Sequence, residues 1–139
     1  MLKLAVFDWN GTLIDDLPIA YESVVAIFSS FNLPSPTLAQ YRNEITVDFM
    51  KFYRAHGMHK SVPPEQLNAI RRRYLEDHWR KPKLHPNSKE ALMICKNVLG
   101  INVAIVSGEI AQVLEKRLDD FQLRPFIDHV TGSAYDKEE

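Results

Sequence analysis

Two polar residues of this sequence stand where a side chain can do chemistry. Asp8 follows the apolar run 4–7, and Ser107 follows a second apolar run, 101–106. Short apolar runs without alternation predict strands that are covered on both faces, as in parallel sheets. Ligands of open α/β sheets bind beyond the carboxyl ends of such strands. If the two strands are neighbours, a carboxylate and a hydroxyl lie over one crevice, and the pattern indicates a catalytic or binding site.

The Asn10-Gly11 pair permits a different interpretation of the opening stretch. This dipeptide is a strong signal for a two-residue hairpin turn, in which Asp8 would only form a side-chain turn bond. However, residues 13–18 contain no alternating run that could pair with residues 4–7. The second buried strand, followed by Ser107, also favours a functional site over a hairpin.

The elements that must position these residues begin with a helical segment. From residue 17 to residue 31, apolar side chains recur at spacings of three and four, which predicts one amphipathic helix. Turn-forming residues divide the stretch up to residue 85 into further helices. Ser35 is expected to cap the first of these, and Pro64 to begin the last.

After this segment the pattern alternates between helix and strand. The predicted elements are a helix between residues 86 and 100, the strand 101–106, a helix over 109–121 and a weaker strand over 126–130. This order predicts an α/β fold with an open parallel sheet, into which the helical segment is inserted as a cap.

Composition and charge exclude several functional classes. Seventeen basic and eighteen acidic residues give a net charge of -1, so no field draws the protein to nucleic acid or anionic lipid. No apolar stretch approaches the about 18 residues of a membrane span. The single cysteine, Cys95, cannot form an intramolecular disulfide. We therefore expect a cytoplasmic protein without a nucleic-acid or membrane partner.

Three stretches resemble motifs of the haloacid dehalogenase-like hydrolase superfamily, whose members are mostly magnesium-dependent phosphatases. VFDWNGTL resembles the first motif, an apolar strand followed by Asp-x-Asp-Gly-Thr-Leu, and VAIVSG resembles the second, a strand that ends at Ser107. VTGSAYDK offers Lys137 as the lysine of the third motif, although a solvated lysine in an acidic run is an equal alternative. The resemblance implies a Rossmann-like core of residues 1–16 and 84–139, with an all-helical cap over residues 17–83 similar to that of phosphoglycolate phosphatase-like members.

The resemblance also implies roles for individual residues. Asp8 would be the nucleophile that forms an aspartyl-phosphate with a small phosphate monoester. Asp8 and the backbone carbonyl of Asn10 would hold Mg²⁺, while Ser107 and Lys137 would neutralise and hold the transferring group. The remaining phosphate-binding positions would be Gly11, Thr12 and Gly108.

The sequence departs from the family pattern at two places. Asn10 stands where most phosphatases of this superfamily have an aspartate that protonates the leaving group and activates water. Because general acid-base catalysis is typically worth about 10² to 10⁴ in rate, we expect slow turnover. Asp15 and Asp16 are expected to cap or start the next helix rather than to replace this acid.

The second departure is that the fourth motif, an acidic pair after a later strand, does not occur before Glu139. We expect an incomplete core truncated from a longer protein, with an exposed edge at residues 4–7 that permits self-association. Three functions stay open. The leading one is a capped magnesium-dependent phosphatase, the second is a non-catalytic fragment or pseudoenzyme that binds a phosphate ligand or a partner protein, and the third is a 2-haloacid dehalogenase.

Overall fold

The computed structural model describes residues 3–133, which divide into two compact units. The sheet unit consists of residues 3–16 and 83–133, and the helical unit is Leu17–Pro82. The boundary between Pro82 and Lys83 lies one residue before the position expected from the sequence.

The strands belong to the sheet unit. In the described residues they are β1 (Leu4–Phe7), β2 (Ile14–Asp15), β3 (Lys83–Leu84), β4 (Asn102–Ile110) and β5 (His129–Ser133). β1, β4 and β5 form a parallel sheet with β4 in the centre, whereas β2 and β3 form a separate antiparallel pair. The predicted α/β fold with a parallel sheet is therefore confirmed, and a hairpin between β1 and the following residues does not form. Asp15 lies in β2, opposite Lys83, and not in a helix cap.

The helical unit contains α1 (Leu17–Ser30), α2 (Leu38–Glu44), α3 (Phe49–Ala55) and α4 (Pro64–Asp77). α1 packs against α4, and apolar side chains from α1, α3 and α4 and the Gly57 turn form one core. Its buried members are Val24, Ile27, Phe28, Met50, Phe52, Tyr53, Met58 and Leu67. No helix in residues 3–133 is both long enough and apolar enough to span a bilayer.

The start of α2 differs from the prediction. Thr37, not Ser35, is the N-cap, because its side-chain oxygen accepts a hydrogen bond from the Gln40 amide at 3.2 Å. The Gln40 side chain accepts from the Thr37 amide at 2.8 Å in return. This reciprocal pair satisfies two amides that the first helical turn leaves without partners, which a lone serine two residues earlier cannot do.

Helices α5 (Ser88–Met93) and α6 (Ala111–Asp120) cover one face of the parallel sheet. α5 continues as a π-helical turn, Ile94–Val98. The crossovers from β1 to β4 and from β4 to β5 move in the same direction across the sheet, so right-handed connections bring both helices to the same face. The buried core between them includes Trp9, Leu13, Ile14, Leu92, Val103, Ile105, Leu114, Leu118 and Leu123.

The opposite face of the sheet is open in the described residues. Leu4 is 45% exposed, Val6 58% and Val106 47%. Alternate residues of a strand point to opposite faces, so these three side chains share the face that α5 and α6 do not cover. The prediction that residues 4–7 are covered on both faces is therefore wrong for this part of the chain. β1 also has only one neighbour, β4, within residues 3–133.

Two strands have bounds that differ from the prediction. β4 does not end at Val106 but continues to Ile110, with a register shift against β5 between these two residues. The third strand begins at His129, after a 3-10 turn at Arg124–Phe126. Both differences arise where pairing with a neighbouring strand, rather than the local apolar pattern, decides the extended conformation.

Candidate active site

Asp8 stands immediately after β1 and is exposed to solvent. Its Oδ1 accepts a hydrogen bond from the Trp9 amide at 2.7 Å. Its other carboxylate oxygen has no hydrogen-bond partner within residues 3–133. One oxygen is therefore held in place while the other is available to a ligand.

The chain that follows Asp8 folds into a tight loop around one carbonyl group. The Trp9 carbonyl accepts hydrogen bonds from the Thr12, Leu13 and Ile14 amides at 3.3, 3.0 and 3.1 Å, and the Gly11 amide donates to the Ile14 carbonyl at 3.0 Å. Gly11 has a φ of +72°, in the left-handed region that glycine adopts at little cost. The amides of Gly11 and Thr12 thus hold the loop together.

This loop leaves a different amide available for an anion. The backbone N–H of Asn10 has no acceptor in the described residues, although Asn10 forms an isolated bridge with Ile14 that fixes its position. The family motif implies roles for the Asn10 carbonyl and for the side chain at this position, but none for this N–H. Only the hydrogen bonds of the folded loop distinguish it from the neighbouring amides.

Trp9 anchors the loop in the core of the sheet unit. Its side chain is fully buried and packs among the core residues, with its ring centroid 6.3 Å from that of Phe121. The indole Nε1 has no acceptor in the described residues. Asp8 is therefore held between a strand on one side and a buried tryptophan on the other.

Ser107 lies at the same end of the sheet as Asp8. β1 and β4 are parallel neighbours, and Phe7 pairs with Ile105, so Asp8 and Ser107 follow this pair by one and two residues. With strands about 4.8 Å apart and a rise of about 3.3 Å per residue, their Cα atoms lie roughly 6 Å apart. The Ser107 Oγ accepts a hydrogen bond from the Glu109 amide at 3.0 Å, which leaves its own hydroxyl proton available to a ligand.

An ion pair that the sequence analysis missed supports the segment after Ser107. Arg117 is only 5% exposed, and its Nη1 donates to Glu109 Oε2 at 3.1 Å. The other Glu109 oxygen accepts from the Ile110 amide at 3.2 Å. Because the seven residues between Glu109 and Arg117 include the turn into α6, neither helical periodicity nor the apolar pattern indicates this pairing.

Gly132 permits β5 to approach this segment closely. A Cβ atom at residue 132 would lie 2.6 Å from the Ala111 Cα and 2.9 Å from the Glu109 carbonyl oxygen. Both are backbone atoms that cannot rotate away, so the packing of β5 against the start of α6 requires glycine. The Ser133 hydroxyl adds a hydrogen bond to the same carbonyl at 3.3 Å.

The remaining predicted residues are distributed as follows. Gly108 lies beside Ser107 in the irregular part of β4, and Lys137 lies outside the described residues.

Within residues 3–133 no three side chains of His, Cys, Asp or Glu come together to hold a metal ion. Asp8 and the Asn10 carbonyl could supply two oxygen ligands. Mg²⁺ is commonly held by one or two carboxylates with water and substrate phosphate, so these residues fit the ion together with a bound phosphate.

Similarity to solved structures supports the fold. A predicted phosphoglycolate phosphatase from Haemophilus somnus has a TM-score of 0.74 and 21% sequence identity, over 99% of this chain and 65% of its own. A predicted phosphatase from Clostridium acetobutylicum has a TM-score of 0.71 and 20% identity, over 96% of this chain and 62% of its own. This chain therefore spans less than two thirds of each of these relatives.

A protein with a different activity shares the same fold. Protein tyrosine kinase A of Mycobacterium tuberculosis has a TM-score of 0.79 and 19% identity, over 99% of this chain and 63% of its own. Fold similarity alone therefore does not decide the reaction.

Sequence comparison identifies the family. No curated protein sequence matches the chain. The family profile described as haloacid dehalogenase-like hydrolase matches residues 5–138, which include both segments of the sheet unit and the whole helical unit. This agrees with the resemblance of the motifs around Asp8 and Ser107. The chain belongs to the haloacid dehalogenase-like hydrolase family.

Proposed function

We propose that the protein is a phosphatase that acts on a small phosphate monoester, with Asp8 as the nucleophile. The observation that carries this proposal is the environment of Asp8. One carboxylate oxygen is held by the Trp9 amide at 2.7 Å, the other is available to a ligand, and Ser107 of the neighbouring strand β4 lies two residues past its last pairing with β1. Membership of a hydrolase family and the predicted phosphatases among its structural relatives support the same reaction class.

In the proposed reaction, the available Asp8 oxygen attacks the phosphorus atom. A bond forms between them while the bond from phosphorus to the ester oxygen breaks, and its electron pair leaves with that oxygen. Water then attacks the phosphorus of the aspartyl-phosphate, which releases inorganic phosphate and restores the carboxylate. The Asn10 carboxamide has no proton to give at neutral pH, so the leaving oxygen takes its proton from water.

The phosphoryl group needs hydrogen-bond donors and positive charge. We assign the first donors to the Asn10 amide and the Ser107 hydroxyl, because neither donates to a protein acceptor in the described residues. Thr12 and Gly108 stay proposed phosphate-binding positions, with the Thr12 hydroxyl as the donor of Thr12, since its amide is used within the loop. The Gly11 amide is also used within the loop, so Gly11 contributes the turn that shapes the site and not a donor. Lys137 is proposed as the lysine that neutralises the phosphate.

The proposed cofactor is Mg²⁺, held by the Asp8 carboxylate and the Asn10 carbonyl together with water and the substrate. When bound, it would neutralise part of the charge on the phosphate. We also propose that the sheet unit is the core of the enzyme and that the helical unit, Leu17–Pro82, is its cap.

The proposal is tested by measuring hydrolysis of an aryl phosphate with and without Mg²⁺. The wild type is expected to show a slow, Mg²⁺-dependent rate, and Asp8→Asn is expected to abolish it because a carboxamide is not a nucleophile toward phosphorus. Asp120→Asn is the matched control, because Asp120 is an exposed carboxylate in α6. Equal rates for the two variants would contradict the proposal.

Phosphate binding without turnover is a second candidate function, and Asn10 favours it because the residue cannot act as a general acid. In that case, phosphate would bind to the wild type and no product would form from any phosphate ester. A third candidate, dehalogenation of a 2-haloacid by Asp8, would be supported by chloride release without added metal.

We also propose that the protein self-associates through the edge of β1. The Lys3 carbonyl accepts a hydrogen bond from the Asn102 amide of β4 at 3.0 Å. Because the backbone groups of successive residues point to opposite sides of a strand, those of Leu4 and Val6 point away from β4. Val6→Lys is expected to reduce self-association measured by sedimentation, because a charged side chain on an edge strand opposes pairing. Val98→Lys, at another exposed valine of the sheet unit, is the control, and a monomeric wild type would contradict the proposal.

The net charge of -1 and the single cysteine support two further proposals. We propose a cytoplasmic location, because one cysteine cannot form the intramolecular disulfides common in exported proteins. We propose no nucleic-acid partner, because the balanced charge offers phosphate backbones little attraction.

A further inference from the structure

The helical unit contains a cavity of about 200 Å³ that opens to solvent, with the fully exposed Val47 at its rim. Four of its lining residues are almost completely buried: Val24 and Ile27 of α1, Tyr53 of α3 and Leu67 of α4. A cavity of about 150 Å³ with apolar walls stays dry and accepts benzene. This cavity is therefore large enough for a ring of that size, and the four buried side chains give it an apolar floor.

The cavity also has a polar group that forms no hydrogen bond with the described residues. Tyr53 is 3% exposed, and its hydroxyl forms no hydrogen bond with any described residue. Buried tyrosine hydroxyls usually have a hydrogen-bond partner. Burial raises the pKa of Tyr53 to about 12, so the hydroxyl keeps its proton at neutral pH and remains a donor.

The cavity also has a positively charged residue in its lining. Arg71 of α4 lines the same cavity, and its charge acts against the rise in the pKa of Tyr53. Arg71 is exposed and forms no ion pair within residues 3–133. By contrast, the Thr46 hydroxyl, which also lines the cavity, donates to the Asp48 carbonyl at 3.3 Å. The cavity thus joins an apolar floor to a cation, Arg71, and to the Tyr53 hydroxyl, with Tyr41 and Asn68 also in its lining.

We propose that this cavity binds a small organic carboxylate with an apolar ring, whose carboxylate faces Arg71 and the Tyr53 hydroxyl. The walls accommodate the ring, and the single guanidinium balances a single negative charge. A phosphate monoester carries nearly two negative charges at neutral pH, so the single charge of Arg71 would neutralise only about half of its charge. The proposal is independent of the reaction assigned to Asp8 and would stand if that assignment failed.

The test uses the full chain and titrates it with benzoate, following backbone amide chemical shifts by NMR. We expect saturable shifts at residues of the cavity wall, with a Kd of about 1 mM, which is reasonable for a ligand of this size. Benzamide, which has nearly the same shape but no charge, is expected to bind more weakly. Failure of benzoate to produce saturable shifts in the helical unit would overturn the proposal.

Variants separate specific binding from general charge attraction. Arg71→Gln is expected to weaken benzoate binding about tenfold, the effect of losing one hydrogen bond to a charged group, and to leave benzamide binding unchanged. Arg73→Gln removes an exposed arginine from the same helix that does not line the cavity, so benzoate binding should not change. Equal weakening by the two variants would overturn the proposal.

Two further variants test the cavity itself. Tyr53→Phe retains the ring and removes the hydroxyl, so it should weaken benzoate more than benzamide. Val24→Phe places a ring in the cavity and should block both ligands while the amide shifts of α4 stay dispersed as in a folded chain. Undiminished binding by a folded Val24→Phe variant would place the ligand elsewhere and refute the inference.

Discussion

Asn10→Asp is the substitution with the largest expected gain in activity. The two side chains have nearly the same size, residue 10 is exposed, and its backbone is held by the bridge with Ile14. The change should therefore add a carboxyl group without disturbing the loop. General acid-base catalysis is typically worth about 10² to 10⁴ in rate, which corresponds to about 3 to 5 kcal/mol of activation free energy.

The gain should depend on the leaving group of the substrate. A nitrophenolate leaves without being protonated, whereas an alkoxide needs a proton as the bond to phosphorus breaks. We therefore expect kcat/KM of Asn10→Asp to rise more for alkyl phosphates than for nitrophenyl phosphate. The assay measures phosphate release for a series of esters, with wild type and variant compared at the same Mg²⁺ concentration.

Two controls separate acid catalysis from other causes. Asn10→Ser removes the carboxamide without adding an acid and should give no gain. Asn97→Asp adds the same charge at an exposed position of the sheet unit and should leave the rates unchanged. The reasoning would be refuted if Asn10→Asp gave no increase for any ester, or if Asn97→Asp gave the same increase.

Two further predictions concern stability. Gly132→Ala should lower the free energy of unfolding by about 1 to 3 kcal/mol, a typical cost of overpacking, because the new Cβ would lie 2.6 Å from the Ala111 Cα. Gly108→Ala is the control: its Cβ would have no atom within 4 Å, so it should lower the free energy of unfolding less in the same urea titration. The hydrogen bonds from Lys96 and from a backbone amide lower the pKa of Asp128. The Asp128 carboxylate therefore adds to the free energy of unfolding above its unfolded pKa of about 3.9, and this contribution is lost as the pH falls through the lowered value. Asp128→Asn should remove that part of the acid dependence of the urea midpoint, and an unchanged acid profile would contradict this assignment.

Both loops of the candidate site depend on buried anchors. Trp9 fixes the loop after β1 in the core, while the Glu109–Arg117 pair and Gly132 fix the segment after Ser107. A carboxylate and a hydroxyl on such supports lose little freedom when a ligand binds, which favours precise positioning of a transferring group.

The sequence by itself determined the class of fold and the two residues at the centre of the candidate site. Short apolar runs specified β1 and most of β4, and the spacing of apolar residues specified α1, because both signals depend on neighbours only a few residues away. The same local signals placed Asp8 at the end of β1 and Ser107 just past the residues of β4 that pair with β1, and the motif around Asp8 indicated the family.

Only the tertiary structure decided the features that depend on residues far apart in the chain. It placed β4 between β1 and β5, left Leu4 and Val6 on an open face, and left the Asn10 amide without an acceptor in the described residues. It also brought Tyr53 and Arg71 to the same cavity. Strand order, loop hydrogen bonds and cavities arise from contacts between distant segments, and local periodicity carries no information about which segments meet.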